Sequence, residues 1–393
     1  MARALLRSVS AADERIGQRR RILISLVGCH TVNDFYTLVI PIMLPAIRAS
    51  FGLSYSAVAI VPFLTQATSA VLQPTLGYLA DRRTLRRLMM VLGFLAFACA
   101  MIGLGQSRSF LAVLVAAICL GIAGSTYHPQ SATLLAYFFE KKGRGFAQGI
   151  HGMGNAAGFV LGPVVGGFLL ARLDWHQAAT WLALPACAAA VAALLLLAEP
   201  PGRGGQGLLA GITRPLVLLT LVNGLALATS STFTNWLPSY YVSHGYTLAG
   251  SALLTALMSV AAFLAQPLGG ALSDRLGRRN LLVYAPAGTC ASLVVFLLVP
   301  SIGWAIGLSV VVGFWSSLMP PVTMVYASEL AAGERTGTAV GIVWGLGTTM
   351  SALALPASGW IIDAAGGQIA PAYAALAALA GLAAILALRL PRA

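Results

Sequence analysis

The sequence predicts an all-α integral membrane protein, with twelve transmembrane helices in two pseudo-symmetric six-helix halves. Three observations carry that expectation. The first is composition: of 393 residues, 58% are hydrophobic and 9% charged, and the mean hydropathy is +0.85. Soluble domains carry about 25% charged residues, so this chain lacks the polar surface that a water-facing fold needs. The second is segmentation, since apolar runs near the length of about 20 residues that crosses a bilayer recur along the whole chain. The third is an internal repeat at a constant offset of 193 residues, seen first in Gln73 and Gln266.

The chain opens with a basic segment, 1–21, holding Arg3, Arg7, Arg15, Arg19, Arg20 and Arg21. The apolar run after it extends for about 26 residues, too long for the core of a cleaved signal peptide, and reads as a retained first span. The first half, 22–198, then holds spans at 22–47, 56–79, 88–105, 110–138, 146–171 and 177–198. Pro41 and Pro45 in the first span interrupt the backbone ladder and are expected to bend it around a cavity. In the fifth span Gly154, Gly158, Gly162 and Gly166 recur every four residues, a smooth face for close helix approach. A Gly/Pro/Arg linker, 199–214, is the longest connection, so no separate soluble domain is expected. The second half, 215–389, holds spans at 215–241, 247–272, 280–299, 302–330, 336–363 and 371–389, and residues 390–393 close the chain.

Basic residues set the expected orientation. With the N-terminus cytoplasmic, that side gathers 21 of the 24 Lys and Arg, against Arg48, Arg108 and Arg172 on the other. By the positive-inside rule both termini then lie in the cytoplasm, in a multi-pass protein of the cell's inner membrane. The net charge of +13 is thus mainly a topology signal, and with no aromatic–basic interleaving a nucleic-acid partner is not expected. Cys29, Cys99, Cys119, Cys187 and Cys290 lie in apolar runs without paired spacing and read as packing residues.

The repeat organises the rest. Gln73-Pro74 and Asp81-Arg82 fall on Gln266-Pro267 and Asp274-Arg275, and the same offset carries Leu44-Pro45 onto Leu237-Pro238, Gly52 onto Gly245, Pro163 onto Pro356 and Gly166 onto Gly359. Two halves with an even number of spans each repeat in parallel. Paired halves of this kind place a substrate site between them near the bilayer midplane and alternate its access by rocking.

Of eleven acidic residues, Asp34 alone falls deep in a span. Twelve residues into a helix it lies about 18 Å from the cytoplasmic end. An ionised carboxylate there costs about 2.5–3.5 kcal/mol on insertion scales, so it must be protonated, paired or hydrated. A carboxyl balanced between burial and a nearby cation can load and release a proton as water access changes sides. His30 lies one turn earlier on the same face, flanked by Asn33 and Thr37. His128 falls midway in span four beside Tyr127, and His151 lies in span five one turn before Asn155. Asp34, His30 and His128 are therefore the candidate proton-coupling set, beside the plain alternative of packing residues bonded between helices. In the second half the equivalent positions are Leu227 and Asn223. The candidate substrate-cavity residues are Asn33, Thr37, Tyr127, His151 and Asn155 in the first half and Asn223, Asn235, Trp236, Trp315, Tyr326 and Trp344 in the second, with lipid-belt or packing roles as the alternative for the second-half aromatics.

Gly77, Asp81, Arg82, Arg86 and Arg87, with Gly270, Asp274, Arg275, Arg278 and Arg279 in the repeat, resemble the signature of the major facilitator superfamily. Gly158, Gly162, Pro163, Gly166 and Gly167 look like the motif of antiporters in that superfamily, although packing alone accounts for the glycines. The run His30 to Tyr36, the phrase Tyr127-His128-Pro129, and Gly154-Asn155 resemble its fosmidomycin-resistance efflux family. The resemblance implies the major facilitator fold and a cytoplasmic gate at Gly77, Asp81, Arg82, Gly270, Asp274 and Arg275. There Asp81 and Asp274 would pair with arginines and helix termini across the halves, and Glu329 with Arg335 or a motif arginine.

These readings lead to a proton-coupled transporter, not an enzyme: an antiporter exporting a small organic compound or drug by alternating access. It would work as a monomer with protons, a small-molecule substrate and the bilayer, and without cofactor or resident metal. Fosmidomycin is an anionic phosphonate, yet no Lys or Arg lies deep in a span, so an amphiphilic or neutral compound fits at least as well. The alternatives are export of a divalent metal on Asp and His ligands, or a membrane-embedded metal hydrolase, for which no zinc motif occurs.

Overall fold

The computed structural model describes residues 2–82, 84–139, 141–199, 213–299, 301–330 and 336–391, without the side chains of 2–16, 77–78, 80–82, 136, 141–146, 148–149 and 336–338. Its elements are helical: α1 (Ala2–Phe51), α2 (Tyr55–Arg82), α3 (Arg86–Gly105), α4 (Phe110–Ser125), α5 (Tyr127–Phe138), α6 (Lys141–Leu170), α7 (Trp175–Trp181) and α8 (Leu184–Leu196) form the first half. The second comprises α9 (Arg214–Ser243), α10 (Leu248–Leu276), α11 (Arg278–Leu298), α12 (Ile302–Ser317), α13 (Met319–Leu330), α14 (Thr336–Ala364) and α15 (Ala370–Ala387). Among the described residues twelve stretches are long and apolar enough to cross a membrane, in the order expected from the sequence.

Three spans are interrupted, the fourth between α4 and α5, the sixth between α7 and α8, and the tenth between α12 and α13. Pro129, Pro185 and Pro320 follow these breaks closely. A proline has no N–H for the carbonyl four residues back and its ring crowds that carbonyl. The carbonyls concerned belong to Ser125, Trp181 and Ser316, at or next to the last residue of α4, α7 and α12. Helix α1 by contrast runs unbroken through Pro41 and Pro45, and α9 through Pro238. The basic segment 1–21, expected as a tail, is helical from Ala2 onward and continuous with the first span.

The repeat is exact enough to reproduce a turn. Gly52 and Gly245 end α1 and α9 with φ of +60° and +89°. Next to each, Leu53 N–H donates to the Arg48 carbonyl at 3.0 Å and Tyr246 N–H to that of Tyr241 at 3.1 Å. Such six-residue closures need a left-handed residue, which glycine adopts without strain.

Within the first half α1 packs on α6 and α8, and α3 on α4 and α8; within the second α9 packs on α14 and α15, and α11 on α12 and α15. The halves meet through α2 with α14, α6 with α10, and α1 with α9. Val71, Leu111, Leu195, Leu298, Trp304 and Trp360 are exposed large apolar side chains, as a lipid-facing surface requires.

Candidate functional site

The site grows from the contact of α1 with α6. A Cβ on Gly154 would stand 2.6 Å from the Val27 carbonyl oxygen, one on Gly158 2.5 Å from that of Thr31, and one on Gly162 2.5 Å from that of Phe35. The glycine face therefore lets the backbone of α1 lie directly on α6. Gly166 abuts Ile42, whereas Gly167 turns toward Ala249 and Ala252 of α10. Pro163 lies within α6 without ending it.

That close approach brings Asn155 to Asp34. Asp34 is 3% exposed, and both its oxygens are occupied. Oδ1 accepts from Asn33 Nδ2 at 2.7 Å and lies 3.7 Å from His128 Nε2. Oδ2 accepts from Asn155 Nδ2 and lies 3.1 Å from His30 Nε2. His30 Nδ1 donates to the His151 carbonyl at 2.9 Å, which commits its N–H and leaves Nε2 to face the carboxyl. Two lone pairs repel across that 3.1 Å gap, so the contact is a hydrogen bond when either His30 Nε2 or Asp34 carries a proton.

The histidines have distinct settings. The rings of His30 and His151 stack with centroids 4.2 Å apart. Tyr127 Oη donates to the Leu26 carbonyl at 2.6 Å, so it accepts from His151 Nε2 at 2.9 Å. His128 Nε2 also lies 3.4 Å from Asn33 Nδ2. The His128 side chain is 44% exposed, against 8% for His30 and 5% for Asp34, so His128 is the open face of a buried cluster. Thr37, one turn beyond Asn33, is exposed.

Donor atoms of His30, Asp34 and His128 lie within 4.8 Å of one another, a spacing a divalent cation could bridge. Asn33 and Asn155 each donate an N–H group to one carboxyl oxygen, which leaves a further lone pair on each oxygen. This is the environment of an anion satisfied by donors.

The cavity candidates of the second half do not gather around Asp34. Asn223 donates to the Val343 carbonyl at 3.2 Å, Trp236 to Ser358 Oγ at 2.7 Å, and Tyr326 to the Pro391 carbonyl at 2.7 Å. Trp315 packs against Gly288. Asn235 Oδ1 and Trp344 Nε1 are buried polar atoms without a hydrogen-bond partner. Among the expected gate residues, Asp274 pairs with Arg278 at 2.5 Å and Arg278 with Glu329 at 3.2 Å, all within the second half. Arg275 lies in the last turn of α10, and Gly270 has open space beside it. The side chains of Gly77, Asp81 and Arg82, and the whole of Arg335, lie outside the described residues.

Several bonds between the halves had no counterpart in the sequence reading. Asp363, near the end of α14, accepts from the backbone N–H groups of Tyr55 and Ser56 at 2.7 and 2.8 Å, capping α2 of the other half. Arg48 lies 3.9 Å over the Tyr55 ring there. Gln66 Nε2 of α2 donates to Ser231 Oγ at 3.1 Å, and its Oε1 accepts from Ser351 Oγ at 3.2 Å. Gln266 Nε2 of α10 donates to Asn155 Oδ1 at 3.2 Å. Gln266 was visible as a repeated glutamine before proline, but its reach to the other half was not. Asp363 offered no signal, because its partners are backbone groups.

The sequence profile of the Major Facilitator Superfamily matches residues 26–263 and 219–393. The MFS-type transporter YfnC of Bacillus subtilis (strain 168) is 28% identical over 388 residues, covering 94% of this chain and 92% of that protein. The Fosmidomycin resistance protein of Escherichia coli (strain K12) is 26% identical over 351 residues, covering 85% and 84%. Among solved structures, a bacterial homolog of the human lysosomal transporter Spinster, inward-facing and occupied, superposes with a TM-score of 0.79 at 17% identity over 94% of this chain and 96% of that one. With twelve spans, a doubled signature and a profile that matches from Leu26 to the C-terminus, the chain belongs to the Major Facilitator Superfamily.

Proposed function

We propose that the protein is a proton-coupled antiporter that exports a small organic compound by alternating access, with Asp34 as its proton-binding group. The observation that carries this reading is a membrane-buried carboxyl, enclosed by His30, Asn33 and Asn155, whose one exposed neighbour is His128. A proton arriving from a water-filled cavity meets His128 first and passes to Asp34 across 3.7 Å with little movement. Loading and unloading from opposite sides of the membrane then drives the cycle.

Asp363 pins α2 to α14 at the end remote from the termini, which supports a state closed at that end and entered from the other. With both termini in the cytoplasm, as the arginine distribution indicates, this is the state that receives cargo from inside the cell. Apart from Asp363, the side chains described as bonding between the halves are neutral: Gln66, Ser231, Ser351, Asn155 and Gln266. They suit a neutral or amphiphilic compound. The similarity to the Fosmidomycin resistance protein makes fosmidomycin the first single compound to test.

The test is a resistance panel of toxic compounds, fosmidomycin and ethidium among them, on cells expressing the wild type or Asp34→Asn. The compound with the largest effect is then followed in inverted vesicles with an imposed pH gradient. The expected result is resistance and uphill uptake in the wild type, both lost in Asp34→Asn. Uphill transport that survives Asp34→Asn would sink the proton-site assignment.

A further inference from the structure

We infer that Gln266 is the positioning residue through which the second half senses the charge on Asp34, by way of Asn155. The inference rests on the proton-site reading above and deepens it: a proton bound in the first half does no work until it changes how the halves meet.

The geometry is a chain of three side chains on three helices. Asp34 of α1 accepts from Asn155 Nδ2 of α6, and Asn155 Oδ1 accepts from Gln266 Nε2 of α10 at 3.2 Å. The first link is internal to one half. The second crosses between halves, along the α6–α10 contact that also holds Gly167 against Ala249 and Ala252. The repeat underlines the specialisation, because Gln73, the equivalent of Gln266, donates to Ser69 Oγ on its own helix at 3.0 Å. The same motif position is local in one half and crosses over in the other.

An amide has a donor end and an acceptor end, so binding one end dictates which is presented on the far side. An ionised Asp34 holds the Asn155 N–H group inward by a charge-assisted bond, roughly twice as strong as a neutral one. Oδ1 is thereby aimed at Gln266. A neutral Asp34 holds that amide more weakly and no longer dictates its direction. When Asn155 turns, its N–H group meets the N–H group of Gln266, and the link is remade only if the Gln266 amide turns with it and accepts through Oε1. The charge on one buried carboxyl is thus passed to the second half as the direction and strength of the bond at Gln266.

The titratable groups facing Asp34 are His30 on its own helix, His128 and Tyr127 on α5, and His151 on α6, with Cys29 of α1 beside Tyr127. From α10 the group that reaches this cluster is the neutral Gln266. A change made at Gln266 therefore leaves every protonatable partner in place.

The experiment measures the distance between nitroxide labels by pulsed electron paramagnetic resonance. Labels go on Arg108→Cys and Ser301→Cys, exposed positions in repeat-equivalent loops of the two halves, with the exposed Cys99 and Cys187 replaced by alanine. The full-length protein is reconstituted in lipid nanodiscs and measured between about pH 5 and pH 8, the range in which histidine-linked sites titrate. In the wild type the distance populations shift with pH. In Asp34→Asn and in Gln266→Met, which keeps the length of the side chain without its hydrogen bonds, the shift is lost. Should Gln266→Met not give monodisperse protein, Gln266→Leu serves in its place, with the same loss, because an alkyl side chain cannot donate to Asn155. A shift abolished by Asp34→Asn but retained in the Gln266 variant overturns the relay and leaves the proton site standing. A shift retained in Asp34→Asn, or absent from the wild type, overturns the proton-site reading instead.

Discussion

Gly158→Ala tests the packing on which the site depends. The added methyl carbon would stand 2.5 Å from the Thr31 carbonyl oxygen, 2.8 Å from Phe35 N and 3.0 Å from Asp34 C, where ordinary contact begins at 3.4 Å. All three are backbone atoms of a long helix, so no rotamer change relieves the clash. Helices α1 and α6 must separate by about 0.9 Å locally, and overpacking of this kind costs about 1–3 kcal/mol. The same displacement would stretch the His30 Nδ1 to His151 carbonyl bond from 2.9 Å to nearly 3.8 Å, beyond hydrogen-bonding reach. It would likewise withdraw Asn155 from Asp34. One methyl group should therefore lower the Tm in detergent and abolish pH-driven transport, although it removes no polar group. Gly152→Ala, where a Cβ meets nothing within 4 Å, is the control and should behave as wild type. A Gly158→Ala protein with unchanged Tm and full pH-driven transport would refute the claim that the glycine face positions Asp34.

Other expectations follow from the bonds described. Asp363→Ala removes the carboxylate that caps α2 from the opposite half, a cap worth about 0.5–2 kcal/mol. Opening at that end should increase severalfold, read as faster thiol labelling of a cysteine introduced at Ala57. Tyr127→Phe leaves the Leu26 carbonyl and His151 Nε2 without their buried partner, at a cost of about 1–3 kcal/mol, and should lower the Tm. Glu329→Gln weakens a pair whose acid is 39% exposed, so the Tm should barely move, consistent with about 0.2–1 kcal/mol for exposed pairs.

Asp34 was legible in the sequence because the membrane makes a mid-span acid conspicuous, and His30 because a four-residue spacing places it on the same face. His128, His151 and Asn155 were legible as in-span polar residues, though not their division of labour: one histidine open, one paired to the acid, one bonded to a tyrosine. The second-half candidates fared differently. A membrane helix is apolar on most of its circumference, so hydropathy does not tell which face turns inward. Asn223, Trp236 and Tyr326 could be named as polar or aromatic residues within spans, but their partners are a backbone carbonyl, a serine and a second carbonyl on distant segments.

The sequence by itself determined the span count, the doubled six-helix plan, the repeat match of Gly52 with Gly245, and the mid-span acid. Each of these follows from local composition or from a repeat in register, and needs no knowledge of which helices touch. Tertiary structure alone decided that α6 lies on α1 closely enough for Asn155 to reach Asp34, that Gln266 and Asp363 cross between the halves, and that His128 is the exposed neighbour of the carboxyl. Those facts depend on helix rotation and approach measured in tenths of an ångström. Hydrogen bonds between residues more than a hundred positions apart are set by that packing, and no local pattern in the chain encodes it.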